Sequence, residues 1–414
     1  MEKLAILGGK KVRNKPFPPH PIIEKEERDA VLKVLKAGRL SSFIASKGHL
    51  FFGGEYVLKF EKEFTKYFNI KYAVSMNSAT ACLHAALAAI EVGEGDEVIV
   101  PPYTFTSTAS SVLMQRGTPV FVDIDTDTFC IDPKKIEEKI TKRTKAIIVV
   151  HLFGRPADMD GILSVAKKHN LKVIEDCAQS PGASYKGKLV GTLGDIGVFS
   201  FTESKTITTG EGGMLITNNE KQAKIAQMVR NHGEALVEGR PRSYESLILG
   251  WNYRLPEIES ALGRVQLSKL KKFNNIRIEL SNYLSKNLKK FEFLEIPENP
   301  NYIKNVYYVY PLKYRKAKIG ISRDTFVKAL NAEGIPIGGG YVRPLYLNAI
   351  FNQKGKKYDW GTCPVTERLY KKEMMLIAVC RPYATKKDMD DIIKGVGKIA
   401  ENIAQLKKWE AKNE

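Results

Sequence analysis

The sequence is poor in cysteine and has no long apolar run. Only five of its 414 residues are cysteine, and their wide, irregular spacing forms neither a disulfide framework nor a CxxC metal pair. Such usage is typical of a reducing compartment, so we expect a cytoplasmic protein. No apolar stretch approaches the roughly 20 residues that a membrane span needs, and the first apolar run is too short for a signal-peptide core.

The signatures of several common enzyme classes are also missing. The sequence contains no GxGxxG, GxxxxGK[ST], HExxH or GxSxG motif, and its six histidines are scattered. These absences argue against a dinucleotide-binding fold, a P-loop and a histidine-based metal site, so we expect no catalytic metal. Hydrophobic residues at 43% and charged residues at 27% are ordinary globular values, which excludes a disordered or fibrous chain.

Acidic residues are scarce relative to basic ones. The chain has 65 Lys and Arg against 46 Asp and Glu, a formal charge of +19, and more than half of the excess lies within residues 301–414. Such a charge suggests nucleic acid, an anionic membrane or an anionic small ligand, but a solvated lysine-rich surface explains it equally well. We find no appended segment to house a recognition module. The sequence therefore predicts no nucleic-acid or membrane partner and leaves a basic regulatory protein as the non-enzymatic alternative.

Helix-like and strand-like segments alternate from about residue 55 onwards. Helical patterns cover 55–67, 79–90, 134–140 and 159–169, and short β-branched runs cover 97–100, 119–122, 146–150 and 171–174. This alternation predicts right-handed βαβ units and an α/β domain with a mostly parallel sheet between helices.

The pattern changes after about residue 265. Residues 306–312 alternate like an antiparallel strand, 323–333 form a helical pattern, and 387–406 form a long amphipathic helix. We therefore predict a large domain over 1–265, with an N-terminal arm, and a smaller α+β domain over 266–414. The glycine-rich segment 38–54 is predicted to be an exposed loop.

The first segment with chemical potential is Lys172-Val-Ile-Glu-Asp176, an apolar strand that ends in a carboxylate. Ligands of open parallel sheets bind beyond the carboxyl ends of the strands. Asp176 can hold a metal, a ribose hydroxyl or a protonated ring nitrogen, or it can simply cap the next turn. Gln179 follows three residues later.

The second segment is FSFTESKTITTGEGG, residues 199–213. An apolar strand leads into a hydroxyl-rich stretch with one lysine, Lys205, and then a cluster of glycines that permits close approach of a ligand. Hydroxyls such as that of Ser200 suit a phosphate. Lys205 can be a phosphate counter-charge, an amine nucleophile or an ordinary surface lysine.

Two further segments complete the set. At Asn77–His84 a small-residue turn opens into a helix, where free N–H groups and the helix dipole can hold an anion, although Ser78 can be a simple cap. In PPYTFTST, residues 101–108, Phe105 follows a strand and can stack on a planar cofactor or pack in the core.

Taken in this order, these segments resemble the DegT/StrS-type sugar aminotransferases, which are pyridoxal-phosphate (PLP) enzymes of the aspartate-aminotransferase fold, fold type I. The resemblance runs along nearly the whole chain. It includes the blocks NSATA (77–81), PPYTFTST (101–108), VIEDCAQSPGASYKGKLVG (173–191), FSFTESKTITTGEGGM (199–214) and LGWNYRLPEIESALGRVQL (249–267). The EDxAQ and FSF…K…GEGG blocks together are highly specific.

The resemblance implies a catalytic role for two residues. Lys205 matches the family's Schiff-base lysine, and Asp176 matches the carboxylate that faces the pyridine nitrogen and maintains the ring as an electron sink. Further matches imply cofactor contacts: Gln179 near the phenolic oxygen, Phe105 stacked on the ring, and Ser78, Ala79, Thr80 and Ser200 around the phosphate. Asn252 matches an asparagine that reaches the neighbouring subunit's cofactor, so the resemblance implies a homodimer with shared active sites.

Two departures from the family pattern concern the reaction. The phosphate turn is Ser78-Ala-Thr80 where the family often has Ser-Gly-Thr, which requires an ordinary φ at Ala79. Lys205 is retained, whereas the PLP-dependent dehydratases that resemble this pattern have a histidine there. Retention favours transamination and leaves a sugar dehydratase or lyase as the alternative enzyme.

The implied reaction moves an amino group from glutamate or glutamine to a keto-sugar in two half-reactions, with the cofactor cycling through pyridoxamine phosphate. Residues 334–346 resemble the family segment that approaches the substrate. This places Tyr341 and Arg343 as candidate acceptor contacts, with a structural role as the alternative. The form of this segment and the initial LAILGG are similar to the branch acting on keto-cyclitols such as scyllo-inosose. We rank a nucleotide-linked sugar first and a cyclitol second.

Overall fold

The computed structural model describes residues 2–43, 48–236, 244–352 and 358–413. Its helices, in chain order, are α1 (Lys25–Ala37), α2 (Glu55–Phe68), α3 (Ala79–Ala89), α4 (Ser107–Met114), α5 (Pro133–Ile136), α6 (Met159–Lys168), α7 (Glu220–Arg230), α8 (Glu257–Leu288), α9 (Lys316–Ile319), α10 (Arg323–Ala332), α11 (Pro364–Arg368), α12 (Lys386–Glu401) and α13 (Ile403–Asn413). Short 3₁₀ turns lie at Ala5–Leu7, His49–Phe52, Glu137–Lys139, Leu152–Gly154, Leu345–Leu347 and Ala349–Phe351, and a π-turn at Leu369–Glu373.

The strands are short. In chain order they are β1 (Tyr72–Met76), β2 (Glu97–Val100), β3 (Thr118–Phe121), β4 (Thr144–Val150), β5 (Lys172–Asp176), β6 (Ser184–Tyr185), β7 (Lys188–Leu189), β8 (Ile196–Ser200), β9 (Gly213–Thr217), β10 (Glu234–Leu236), β11 (Tyr244–Ser246), β12 (Leu294–Glu295), β13 (Ile303–Lys304), β14 (Tyr310–Tyr314), β15 (Gly338–Gly339) and β16 (Met374–Ile377).

A seven-stranded sheet with the order β1-β9-β8-β5-β4-β2-β3 organises the large domain. Five neighbouring strands of this sheet, β3, β2, β4, β5 and β8, run parallel to one another. Strand β9 is antiparallel to both of its neighbours, β8 and β1. Apart from exposed Lys172 at its start, β5 is buried, as β8 is throughout, because helices cover both faces of such a sheet. The predicted α/β class with a mostly parallel sheet is confirmed.

The C-terminal part contains a second, antiparallel sheet with the order β12-β14-β16-β15. Apolar residues of α8, α10 and α12 pack with it in one core, which matches the predicted α+β character. Helix α8 runs without a break across residues 265 and 266. The domain boundary placed there therefore stays a prediction.

The N-terminal arm is fastened to this second core. Leu4 is fully buried in it, and the buried Glu333 carboxylate accepts hydrogen bonds from the Ala5 and Val12 amides at 2.7 and 3.1 Å. Lys398 pairs with the same carboxylate at 2.8 Å and donates to the Lys10 carbonyl at 2.6 Å. One buried ion pair thus holds the arm in place.

Three local predictions need correction. The segment 38–54 is not an exposed loop throughout: residues 44–47 lie outside the described part, but Phe51, Gly53 and Gly54 are buried, Gly54 against the Glu257 carboxylate. The terminal helix is interrupted at Asn402, whose side chain donates to the Glu2 carbonyl instead of facing solvent. The antiparallel strand begins at Tyr310, because residues 306–309 turn toward the large domain.

Among the described residues, no helix is both long enough and apolar enough to cross a membrane.

Candidate active site

A cavity of about 410 Å³ lies at the carboxyl ends of β5 and β8, where they meet the start of α3 and the second domain. Parallel strands present their carboxyl ends at one edge, which is where open α/β sheets bind ligands. The residues lining the cavity are Ser78, Ala79, Thr80, Leu83, Thr104, Phe105, Ser107, Val150, Asp176, Ala178, Gln179, Ser200, Thr202, Ser204, Lys205, Glu211, Tyr308, Val309, Tyr341 and Leu376. Nine of the predicted cofactor and substrate residues are therefore brought together.

Asp176, the last residue of β5, places a carboxylate in this cavity. Its Oδ2 accepts a hydrogen bond from the Thr108 hydroxyl at 3.0 Å, and its Oδ1 accepts one from the Ala178 amide at 3.1 Å. Burial raises the pKa of the Asp176 carboxyl, and these two hydrogen bonds and the charge of Lys205 oppose that rise. The site thus contains a buried carboxylate that a cationic ligand group would stabilise.

The preceding residue, Glu175, points to the other face of the sheet and is fully buried. Its carboxylate accepts bonds from the Gly191, Leu193 and Gly194 amides at 2.7–2.8 Å and from His151 Nε2 at 2.9 Å. His151 Nδ1 accepts from the Ala157 amide at 3.0 Å, which fixes the proton on Nε2. Glu175 therefore anchors the loop that leads into β8.

His151, Glu175 and Cys177 are also close enough together to hold a metal ion. The Glu175 oxygens are already saturated by four donors, and burial raises the pKa of the Cys177 thiol well above its usual value. A neutral thiol and an occupied carboxylate make a poor metal site.

Lys205 supplies the one amine among the residues lining the cavity. Its Nζ lies 4.7 Å from the centroid of the Tyr308 ring, and the Tyr308 hydroxyl is 3.2 Å from the Ser204 hydroxyl. His20, from the N-terminal arm, donates through Nε2 to the Lys205 carbonyl at 3.1 Å. Burial lowers the pKa of His20 to about 4, so the ring is neutral at pH 7. Tyr308 therefore contacts the side chain of Lys205, and His20 binds its backbone.

The start of α3 forms another part of the cavity wall. Ser78 caps the helix by accepting from the Ala81 amide at 3.1 Å, and Ala79 and Thr80 follow as its first two residues. Ala79 has the ordinary helical conformation that its side chain requires. A Cβ on Gly213 of β9 would lie 2.6 Å from the Ala79 nitrogen, so glycine there permits β9 to pass directly beneath the helix start.

Three further predicted residues line the cavity with different partners. Gln179 accepts from the Phe153 amide at 2.9 Å and donates to the Tyr341 hydroxyl at 2.8 Å. Phe105 is 60% exposed, so it is not part of the apolar core. Burial raises the pKa of Tyr341 to about 12. Tyr341 thus orients Gln179 and closes one side of the cavity.

Two predicted residues lie outside the cavity lining. Asn252 is exposed, and its carbonyl accepts from the Asn77 side chain at 3.4 Å, close to the start of α3. Arg343 is exposed on the surface. Their predicted roles, contact with a neighbouring subunit's cofactor and with the acceptor, stay predictions.

The sequence reasoning missed three contacts. Thr108 lies inside a quoted motif, but its hydrogen bond to Asp176 depends on how α4 packs over β5. Tyr308 belongs to a stretch whose pattern predicts a strand, and no local signal distinguishes it from the adjacent tyrosines. His20 is 185 residues from its partner Lys205. Only the tertiary fold reveals contacts of this kind.

Residues 22–397 match the DegT/DnrJ/EryC1/StrS aminotransferase family. GDP-perosamine synthase from Caulobacter vibrioides is 39% identical over 316 residues, covering 76% of this chain and 81% of that protein. A Micromonospora echinospora protein, provisionally named L-glutamine:3-amino-2,3-dideoxy-scyllo-inosose aminotransferase, is 32% identical over 423 residues, covering 98% of this chain and 99% of that one.

Solved structures similar to this chain are also aminotransferases. An aminotransferase from Psychrobacter cryohalolentis superposes with a TM-score of 0.86 at 33% identity, covering 94% of this chain and 100% of that one. The sugar aminotransferase Spr1654 from Streptococcus pneumoniae, named as such provisionally, has been solved in a PLP form and a PMP form. These two forms superpose with TM-scores of 0.82 and 0.83 at 25% and 26% identity. They cover 94% and 96% of this chain and all of that one.

Proposed function

The chain belongs to the DegT/DnrJ/EryC1/StrS aminotransferase family, and on this premise we propose that it transfers the amino group of glutamate or glutamine to a keto-sugar in amino-sugar biosynthesis. The observation that carries the proposal is the single cavity lined by both the Lys205 amine and the buried Asp176 carboxylate. The enzyme is a transaminase that uses pyridoxal phosphate and cycles through pyridoxamine phosphate, like its relatives solved in both forms.

The residues of the cavity fit pyridoxal phosphate. Asp176 is a buried carboxyl whose raised pKa a protonated ring nitrogen would lower, because opposite charges stabilise one another. The free amides at the start of α3, with the hydroxyls of Thr80 and Ser200, are donors of the kind that hold a phosphate. Phe105, exposed in the cavity wall, offers a face for a planar ring.

The chemistry divides between the cofactor and the protein. When bound, pyridoxal phosphate withdraws electrons from the substrate carbon next to nitrogen, so that this carbon can lose a proton. Lys205 Nζ would take that proton as a general base and, as a general acid, deliver it to the carbon on the other side of the nitrogen. Asp176, oriented by the Thr108 hydroxyl, supplies the negative charge that would stabilise a protonated ring nitrogen. The Tyr308 ring covers one side of the Lys205 amine, 4.7 Å from its Nζ.

Retention of Lys205 supports amine transfer over dehydration. A lysine can both bind the cofactor covalently and move a proton, and this double role is what a reversible amino-group exchange requires. A PLP-dependent dehydratase or lyase acting on a similar sugar is the competing reaction. Product analysis with and without an amino donor separates the two, because dehydration consumes no amino group.

For the acceptor we propose a nucleotide-linked keto-sugar, with a keto-cyclitol as the second candidate. The name of the C. vibrioides relative refers to a GDP-linked sugar, and the name of the M. echinospora relative to an amino-inosose. The excess positive charge of residues 301–414 suits a diphosphate, since a cationic field attracts anionic substrates. Tyr341 in the cavity and Arg343 on the surface are our candidates for acceptor contacts.

A substrate screen tests this proposal. The enzyme is loaded with pyridoxal phosphate and incubated with glutamate or glutamine labelled with ¹⁵N at the amino group. GDP- and UDP-linked keto-sugars and scyllo-inosose are the acceptors, and the products are analysed by mass spectrometry. We expect ¹⁵N in an amino-sugar nucleotide. Transfer to scyllo-inosose alone would favour the second candidate, and loss of water without ¹⁵N uptake would indicate a dehydratase.

We further propose a homodimer in which Asn252 contacts the cofactor of the neighbouring subunit. Asn252 is exposed yet lies beside the start of α3, and the nearby apolar residues Leu247 and Leu249 are 57% and 76% exposed. Exposed apolar side chains next to a site are typical of subunit contacts.

Mixing two inactive variants tests the shared site. If Asn252 acts in trans, Lys205→Ala and Asn252→Ala subunits that exchange partners form heterodimers with one intact site. The mixture should then regain about a quarter of wild-type activity, since half of the dimers are mixed and each carries one intact site. A mixture that stays inactive after demonstrated subunit exchange would contradict the proposal.

We also propose a cytoplasmic location. The five cysteines are all free and buried, so the fold does not depend on disulfides.

A further inference from the structure

Three basic side chains lie near the backbone of Lys205. Arg277 comes from α8, Arg381 from the loop after β16, and His20 from the N-terminal arm. Arg381 donates to the carbonyl of Pro18, two residues before His20, and the charges of Arg277 and Arg381 both act on His20. Through the bond from His20 to the Lys205 carbonyl, this cluster contacts the backbone of the active-site lysine.

The cluster has no visible counter-charge. Arg277 is 2% exposed, and its hydrogen bond is to a neutral group, the Tyr308 carbonyl, at 3.1 Å. Arg381 likewise donates to a carbonyl, that of Pro18, at 2.8 Å. Within the described ranges, neither guanidinium forms an ion pair. Among the other buried arginines, Arg13, Arg230 and Arg323 each pair with a carboxylate at 2.6–2.9 Å, whereas Arg155 donates to the Glu298 carbonyl.

Several polar atoms of the cluster are buried without a partner. They are the Nε atoms of Arg277 and Arg381, Nδ1 of His20, and the hydroxyl of Ser281, which lies one turn beyond Arg277 on α8. Buried guanidinium groups without an anion are costly, because desolvation removes water and nothing replaces its stabilisation. The adjacent Cys380 does not compensate the charge, since burial raises the pKa of its thiol to about 12.

We propose that a compact monovalent anion, of which chloride is the abundant candidate, binds between the guanidinium groups of Arg277 and Arg381. The two unpartnered Nε–H groups are donors suited to a spherical anion. By balancing the two arginine charges, the ion stabilises Arg381 on the Pro18 carbonyl, two residues before His20. It thereby supports the part of the arm that places His20 against the Lys205 carbonyl. The inference is independent of the acceptor sugar.

Crystallography with bromide tests the site directly. The cofactor-loaded enzyme is crystallised from chloride-free buffer containing sodium bromide, and anomalous scattering is recorded at the bromine edge. We expect a peak within hydrogen-bonding distance of Arg277 and Arg381. A peak that is absent, density that fits a water molecule, or a carboxylate side chain in that position would overturn the proposal.

Thermal unfolding gives a second test with a matched control. At constant ionic strength, replacing sodium gluconate by sodium chloride should raise the Tm of the loaded enzyme by about 1–2 °C, since a ligand that binds only the folded state stabilises it. Arg381→Gln should abolish this difference, because the half-buried Arg381 supplies one side of the site. The exposed Arg116→Gln should retain it. An unchanged chloride effect in Arg381→Gln would refute the inference.

Discussion

The anchoring of the β5–β8 connection by Glu175 leads to a quantitative prediction for Glu175→Gln. This substitution keeps the size of the side chain and replaces one carboxylate oxygen by an NH₂ group. The carboxylate is fully buried and accepts four bonds, three from the backbone amides of Gly191, Leu193 and Gly194 and one from His151. An NH₂ group cannot accept any of them.

The size of the effect follows from the arrangement of the donors. Leu193 and Gly194 share one oxygen, and His151 and Gly191 share the other, so the glutamine oxygen can serve only one pair. His151 cannot change its tautomer without losing the bond from the Ala157 amide. Two buried donors therefore lose their acceptor and face the new NH₂ group, which is itself a donor. At about 1.5–3 kcal/mol for each lost bond to a charged group, the variant loses about 3–6 kcal/mol of unfolding free energy.

Urea denaturation of the cofactor-loaded enzyme, followed by circular dichroism, measures this loss. Glu137→Gln is the matched control, because Glu137 is exposed and pairs with Lys168 and His169 on the surface. The control should change the unfolding free energy by less than about 1 kcal/mol. A loss in Glu175→Gln as small as that of the control would refute the reasoning that this carboxylate holds the loop.

Three more predictions concern the site and its support. Asp176→Asn should fold like the wild type but lose most transamination, and wild-type turnover would count against the electron-sink role. Thr108→Val should lower the unfolding free energy by about 1.5–3 kcal/mol, as measured by urea denaturation, because it removes a hydrogen bond to a buried carboxylate. An unchanged unfolding free energy would exclude that contribution. Lys398→Met should leave the buried Glu333 charge uncompensated and lower the unfolding free energy by about 3–5 kcal/mol. Trypsin should then cleave the N-terminal arm faster. Cleavage of the arm at the wild-type rate would show that the ion pair does not hold it.

Much of the fold could be predicted from local sequence patterns. The β-branched runs at 97–100 and 146–150 became β2 and β4 because buried parallel strands need little else than an apolar, branched sequence. The failures occurred where tertiary contacts override local pattern. Asn402 continues an amphipathic pattern but bonds to the backbone of Glu2, and the glycines at 53 and 54 are packed rather than exposed.

In the candidate site, too, local patterns predicted some features and tertiary contacts determined the others. Asp176, Lys205 and the start of α3 could be predicted because each follows a short recognisable pattern, a strand end, a hydroxyl-rich loop or a helix cap. The contacts that orient them could not. Thr108 reaches Asp176 across 68 residues, and His20 reaches Lys205 across 185. No periodicity encodes such pairings, which depend on how the arm and the sheet pack.

The central claim, that Lys205 supplies the amine of a PLP-dependent transaminase, has one direct test. The enzyme is saturated with pyridoxal phosphate, reduced with borohydride, digested with trypsin and analysed by mass spectrometry, with Lys205→Ala treated in parallel. We predict that the reduced cofactor is attached to the peptide containing Lys205, and that the variant has neither the adduct nor amine transfer. A cofactor attached to another lysine, or amine transfer at the wild-type rate in Lys205→Ala, would contradict the account.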